Sequence, residues 1–225
     1  MAAVWDDLQC GGLGIYREPG AFSYGQDAVL LSDFARARAS DRLLDIGTGT
    51  GVLPFLIHAK TGASFTAVEL DPACAALAQA GALRNGLADK VRVVQGDLRA
   101  LTQAEHGMFD GAVCNPPYHR AGKHQSPGES RARSAFQTAC TLEDVVACAG
   151  RMLKNGGLFF LCYPAEGLGT LCAALCGHKL EPKRICLVRS KAEKPPYLLL
   201  VEARKGGRPG VRLTELTVLY DGEGA

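Results

Sequence analysis

Arg42-Leu43-Leu44-Asp45-Ile46-Gly47-Thr48-Gly49-Thr50-Gly51 is a short apolar run that ends in an acid and three alternate glycines. An apolar stretch of this length, bounded by glycine, reads as a buried strand. The glycines let the backbone turn sharply and come close to a ligand. Val52 to Lys60 continues as a helix, with Pro54 tolerated in its first turn. Strand, glycine turn and helix in this order predict the mouth of a nucleotide-type cofactor site.

The alternation continues along the chain. Ser64 to Leu70 reads as a strand closed by Glu69 and Asp71, and Pro72 to Asn85 as a helix ended by Asn85-Gly86. Val91 to Val94 is a third strand, followed by Gly96-Asp97, and Phe109 to Cys114 is a fourth. A helix from Leu142 to Leu153 follows, capped by Thr141 and stopped at Asn155-Gly156-Gly157. Leu158 to Tyr163 is a fifth strand and Leu168 to Cys176 another helix. Ile185 to Val188 and Tyr197 to Ala203 are two late strands whose linker, Arg189 to Pro196, holds no helix, so they are expected to pair antiparallel. The expected fold is therefore α/β: a seven-stranded, mostly parallel, doubly wound sheet with an antiparallel C-terminal hairpin. One domain is expected over residues 1–225: an N-terminal extension (1–41), a core (42–203) and a basic tail (204–225).

Composition narrows the class. Hydrophobic residues make up 47% and charged ones 21% of the 225 residues, as in ordinary globular proteins. No apolar run reaches the ~18 residues of a membrane span, and Met1 to Cys10 carries no basic-then-apolar leader, so a cytoplasmic location is expected. The nine cysteines form no Cys-x-x-Cys pair, and several sit in apolar stretches. Cys172, Cys176 and His178 match no zinc spacing, so neither a metal nor a disulfide framework is expected. Net charge is only +2, but Lys179 to Arg212 holds ten basic residues against three acids. A second basic stretch runs from Arg120 to Arg133. Such asymmetry predicts a polyanionic partner, with Arg120, Lys123, Arg131, Arg133, Lys205 and Arg208 as candidate contacts.

Three acids fall at consecutive strand ends: Asp45, Glu69 and Asp97. Glu69 lies 22 residues beyond Gly47, the spacing at which an acid after the second strand meets ribose hydroxyls. Asp97 is placed to accept a bond from an adenine amine. Asp45, directly before the glycine turn, suits a positively charged amino group, which a nicotinamide dinucleotide lacks. The fourth strand delivers Asn115-Pro116-Pro117-Tyr118. An exocyclic amine on an aromatic ring is a poor nucleophile. Two acceptors, the Asn115 side-chain oxygen and the Pro116 carbonyl, would hold its hydrogens and stabilise the positive charge that grows during attack. Pro116 and Pro117 stiffen the loop, and Tyr118 offers a face for an unstacked base. Turn and tetrapeptide together read as methyl transfer from S-adenosylmethionine to an amino nitrogen, with Gly47, Gly49, Gly51 and Asn115 lining the cofactor.

On these residues the chain resembles the class I S-adenosylmethionine-dependent methyltransferases, whose fold is Rossmann-like. Phe22-Ser23-Tyr24-Gly25-Gln26-Asp27-Ala28-Val29-Leu30-Leu31 is similar to the signature of the bacterial tRNA adenine N6-methyltransferases. The resemblance continues through Cys140-Thr141-Leu142-Glu143-Asp144-Val145 and Lys205-Gly206-Gly207-Arg208-Pro209-Gly210-Val211, and so spans nearly the whole chain. It implies RNA, specifically tRNA, as the partner, with adenine N6 beside the anticodon of a valine tRNA as the target. It also implies that Tyr24 and Asp27 join the cofactor site. One departure stands out: relatives carry Arg-His-Glu where this chain has Ala135-Phe136-Gln137. Asn-Pro-Pro-Tyr is shared with glutamine N5- and guanine N2-methyltransferases. Those two, a DNA adenine enzyme and a non-catalytic RNA-binding protein are the alternatives. A glutamine enzyme is expected to carry a helical substrate domain longer than residues 1–41, and a DNA enzyme a recognition domain.

Overall fold

The computed structural model describes residues 3–19, 24–116 and 140–218. It opens with an antiparallel hairpin, β1 (Val4–Cys10) and β2 (Leu13–Arg17). Then come α1 (Gln26–Phe34), β3 (Arg42–Ile46), α2 (Val52–Thr61), β4 (Ser64–Glu69) and α3 (Pro72–Arg84). These are followed by β5 (Val91–Gln95), the short α4 (Gln103–His106) and β6 (Phe109–Cys114). After residue 139 the order is α5 (Leu142–Met152), β7 (Leu153–Pro164), α6 (Leu168–Gly177), β8 (Leu180–Arg189), β9 (Leu198–Lys205) and β10 (Arg212–Thr217).

The main sheet runs β10-β8-β9-β7-β6-β3-β4-β5. All seven expected strands are in it, and β9 alone runs against the others, pairing antiparallel with both β7 and β8. The expected tail adds an eighth strand: β10 lies parallel to β8, from Arg212 opposite Arg184 to Thr217 opposite Arg189. The expected extension holds the hairpin and α1.

Local chemistry sets the boundaries. Asp71 caps α3 by accepting the Cys74 N–H at 2.9 Å, with Pro72 in the first turn, where a missing N–H costs nothing. Thr141 and Asp144 form a reciprocal capping box at the start of α5. That helix passes directly into β7 at Leu153, so Asn155-Gly156-Gly157 lies inside the strand and does not stop the helix.

Helices cover both faces of the centre of the sheet, which is why its central strands read as apolar runs. Leu44, Ile46, Phe109, Cys114, Phe159 and Leu161 point to the α5–α6 side. Leu43, Phe65, Val113, Phe160 and Cys162 point to the other, with α1, α2 and Ile15 of the hairpin. A fully buried phenylalanine such as Phe55 or Phe160 contributes about 2–3 kcal/mol. One ionic lock crosses the second face: Glu202 of β9, buried, accepts two bonds from Arg36 and one from Arg184. Arg184 also stacks on Phe34 and donates to its carbonyl, so the end of α1 is tied to β8 and β9.

Candidate active site

From β3 the chain winds outward through β4 to β5, then returns to place β6 on the other side of β3. The crevice beyond such a reversal is where open α/β sheets bind ligands. Asp45 of β3 is level with Val113 of β6, so Asn115, two residues on, emerges beside the glycine turn. The Cys114 thiol donates to the Ile46 carbonyl at 3.0 Å and braces these two strand ends together.

The turn is built on left-handed glycines, with φ of 76° at Gly47, 58° at Gly49 and 93° at Gly51. At Gly51 a Cβ would also come within 2.9 Å of the Phe55 ring, so glycine is required on two counts. The Gly47 and Thr48 amides both donate to the Val68 carbonyl, which folds the turn over the end of β4. Glu69 completes it: Oε2 accepts the Gly49 N–H at 2.7 Å and Oε1 the Asp71 N–H at 2.9 Å. Burial raises the Glu69 carboxyl pKa, and those two amides pull the other way. Each oxygen keeps acceptor capacity for a further donor, such as a ribose hydroxyl.

Asp45 is fully buried, and neither carboxylate oxygen has a hydrogen-bond partner among the described residues. Burial pushes its pKa up to about 7; the Thr48 hydroxyl, near it but outside hydrogen-bonding geometry, opposes this, and the Glu69 charge adds to it. An unpaired buried carboxylate is costly unless a cation meets it. The amino group of S-adenosylmethionine is such a cation, so the donor set fits that cofactor.

Asp97 follows β5 beside Glu69, whose carbonyl accepts the Gly96 N–H. Its carboxylate is committed to Arg99, which donates from Nη2 at 2.6 Å, from the backbone at 2.8 Å and from Nε at 3.0 Å. Arg99 accordingly holds the Asp97 pKa low. A ligand amine would have to share Asp97 with that arginine. The neighbouring cleft is small and apolar, lined by Gly47, Val68, Leu70, Gly96, Leu98 and Cys140. Leu70, Leu98 and Cys140 carry no chemical signature and were not expected. For the two leucines the available signal was position, each standing directly after an acid at a strand end.

Asn115 is half-buried at the end of β6, with Pro116 buried behind it. Pro117, Tyr118, Arg120, Lys123, Arg131 and Arg133 lie outside the described residues. Asp27 is buried in the first turn of α1. Tyr24 packs on the α1 side of the core. Its pKa is raised by burial and by the charges of Asp7 and Asp6 in the hairpin.

Lys205 and Arg208 stand elsewhere. Cys114 is level with Leu161, and Cys162 pairs with Leu200, so Asn115 lies at the height of Leu200. Lys205 is five residues farther along β9, about 17 Å toward the opposite end of the sheet. It spends its ammonium on the Leu153 carbonyl at 2.6 Å. Arg208 is exposed just beyond it. The segment joining β8 and β9, residues 190–197, rises at the Asn115 end. Arg189 holds it by donating to the Lys194 carbonyl at 3.2 Å while pairing with Glu215. Lys191 and Lys194 are exposed there, flanking Glu193, and neither has an ion-pair partner among the described residues.

Residues 12–165 match the model of the methyltransferase small domain. The chain belongs to that family. S-adenosylmethionine is its cofactor. Among similar proteins, one from Shewanella sp. (strain W3-18-1), named tRNA1(Val) (adenine(37)-N6)-methyltransferase, is 31% identical over 95% of this chain and 87% of its own. Proteins of the same name from Dickeya chrysanthemi and Bacteroides fragilis are 29% and 27% identical, over 88% and 83% of this chain and 78% and 79% of their own. A predicted O-methyltransferase from Agrobacterium tumefaciens shares the fold at a TM-score of 0.66 and 24% identity, covering 86% of each chain. So does a Streptomyces coelicolor geranyl diphosphate C-methyltransferase, at 0.56 and 16%, over 79% of this chain and 76% of its own. Among the described residues no helix is long and apolar enough to cross a membrane, and no group of three His, Cys, Asp or Glu is arranged to hold a metal.

Proposed function

We propose that this methyltransferase modifies the exocyclic N6 amine of adenine in RNA, with tRNA as the substrate class. The observation that carries the reading is the place of Asn115: an amide just after β6, the strand paired with β3, which carries Asp45 near its end and leads into the glycine turn. The names of the relatives support adenine as the base. Asp45 would pair the cofactor's amino group, Glu69 its ribose hydroxyls, and the slot between Leu70, Leu98 and Cys140 its purine. When bound, S-adenosylmethionine supplies an electrophilic sulfonium methyl.

The chain's own contribution is orientation and charge stabilisation. The Asn115 side-chain oxygen and the Pro116 carbonyl accept from the two amine hydrogens and hold the nitrogen lone pair toward the methyl. Both acceptors strengthen as the nitrogen becomes positive, so they favour the transition state over the ground state. No base is needed before attack, since the proton leaves the nitrogen afterwards. Tyr118 stacks on the base drawn out of its own stack. Cytoplasmic tRNA is met by Arg120, Lys123, Arg131 and Arg133, which follow the tetrapeptide in the sequence. Lys191 and Lys194 serve the Asn115 end of the sheet, and Arg208 only a substrate that reaches its far side.

Nucleoside mass spectrometry tests this reading. Unmodified tRNA transcripts incubated with protein and labelled cofactor should yield N6-methyladenosine. Label in N2-methylguanosine, in DNA adenine or in a protein glutamine would replace this substrate by the corresponding alternative, and cofactor binding without any turnover would favour a non-catalytic RNA-binding role.

A further inference from the structure

We propose that Cys162 is a positioning residue for the methyl-accepting site: its thiol, hydrogen-bonded to the Asn115 side-chain oxygen, fixes the plane of the amide that receives the target amine. This rests on the reading of Asn115 given above and adds a residue to it.

The sheet brings the pair together. Cys114 of β6 is level with Leu161 of β7, so the next residues, Asn115 and Cys162, are neighbours across parallel strands. Cys114 and Leu161 face α5 and α6, which turns Cys162 to the other side, and Asn115 meets it there. Cys162 Sγ lies 2.8 Å from Asn115 Oδ1. Cys162 is fully buried, whereas Asn115 is only half-buried, so the amide is anchored to the interior at a strand end that is still partly open.

A terminal amide torsion has a broad, nearly two-fold profile, so an asparagine at a strand end does not hold its own plane. A hydrogen bond to a rigid strand removes that freedom. A thiol suits the task because it is a weak donor. It occupies one lone pair of Oδ1 and draws little electron density, leaving the second lone pair able to strengthen its bond as charge grows on the amine. A charged donor at the same place would weaken that acceptor. The sequence alone does not reveal the pairing, because 47 residues separate the two side chains and only the parallel register joins them.

The test compares Cys162→Ala, Cys162→Ser and Asn115→Ala with the parent protein, on the RNA that the nucleoside analysis identifies. Cofactor-product affinity is measured in parallel by calorimetry with S-adenosylhomocysteine. Cys162→Ala should lower kcat by about tenfold, as expected of a small misplacement at a reacting group, with unchanged S-adenosylhomocysteine affinity. Cys162→Ser keeps a donor and should return kcat to within about threefold of the parent. Crystals of Cys162→Ala should show the Asn115 amide rotated from its position in the parent, a readout that needs no RNA. The inference is overturned if both Cys162 variants keep the parental kcat, if both fall together with cofactor affinity, or if the amide stays in place without the thiol. Asn115→Ala separates the two ideas. Should it turn over normally, the amine-clamp reading itself fails; should it fall ~100-fold while Cys162→Ala matches the parent, only the role of Cys162 is lost.

Discussion

The Glu69 carboxylate binds the glycine turn and the start of the next helix at once, accepting the Gly49 amide through one oxygen and the Asp71 amide through the other. A strand-end acid thus shapes the loop that it is expected to share with a ribose. Glu69→Ala should weaken S-adenosylhomocysteine binding by ~1–3 kcal/mol, the range for losing hydrogen bonds to a charged acceptor. Calorimetry should find this loss, accompanied by a lower melting temperature, because the Gly49 and Asp71 amides lose their acceptor. Unchanged affinity would remove Glu69 from the site.

Asp45 makes cofactor affinity depend on pH. Its pKa is raised from the ordinary carboxyl value to about 7, so the ligand-free protein holds a proton there that the unfolded chain has already released. In the free protein this contribution to stability is full below the unfolded value and is lost as pH rises toward about 7. A cationic ligand reverses the preference, because it pairs with the ionised form. S-adenosylhomocysteine affinity should therefore fall as pH drops below about 7, approaching tenfold per unit. Asp45→Asn should flatten that profile. Titration calorimetry from pH 5.5 to 7.5 reads both, and a flat profile in the parent protein would show that the ligand amine does not meet Asp45.

Strands β3, β4, β6, β7 and β9 were legible because both their faces are covered, which leaves apolar runs in the sequence, and β5 and β8 by shorter apolar segments. The hairpin was less so: Val4–Cys10 carries Asp6 and Asp7, residues that strands disfavour. Its signal was Gly11-Gly12, whose φ values of 60° and 71° make the tight turn between the two strands. Strand β10 had no signal, since all six of its side chains are exposed and it is held by backbone pairing with β8. In the candidate site, Asp45 and Glu69 could be noticed because a charge at the end of an apolar strand stands out. The Arg99 grip on Asp97 and the contact of Cys162 with Asn115 could not, as one depends on a rotamer and the other on register.

The lock at Glu202 should carry much of the attachment of α1. Its side chain is 5% exposed, against 26% for Arg184 and 61% for Arg36. Glu202→Ala leaves the Arg184 charge partly buried without its partner and should cost about 2–3 kcal/mol. Arg36→Ala removes a mostly solvated charge and should cost under about 1 kcal/mol. Thermal melts should rank them in that order, with Glu202→Ala lower by roughly 4–12 °C. Equal melting temperatures for the two variants would mean that the network holds no buried charge of consequence.

The height of Leu200 in the sheet separates two possible RNA surfaces. The segment at 190–197 lies at the Asn115 end, and Lys205 lies about 17 Å away toward the opposite end, spent on the Leu153 carbonyl. If RNA docks at the Asn115 end, as proposed, replacing both Lys191 and Lys194 by Glu should weaken tRNA binding at least ~10-fold, since it reverses two exposed charges there. The slope of log affinity against log salt should become shallower by roughly 0.7 for each phosphate that is no longer neutralised. Arg208→Ala should change affinity far less. Lys205→Met should act on stability before binding, because desolvation already lowers the pKa of that ammonium and the substitution removes its bond to Leu153. Filter binding of tRNA transcripts across a salt series would distinguish the two surfaces. If Arg208→Ala reduced both affinity and salt slope while the double lysine variant left them unchanged, the RNA would approach from the far end, and the segment at 190–197 would have no part in holding it.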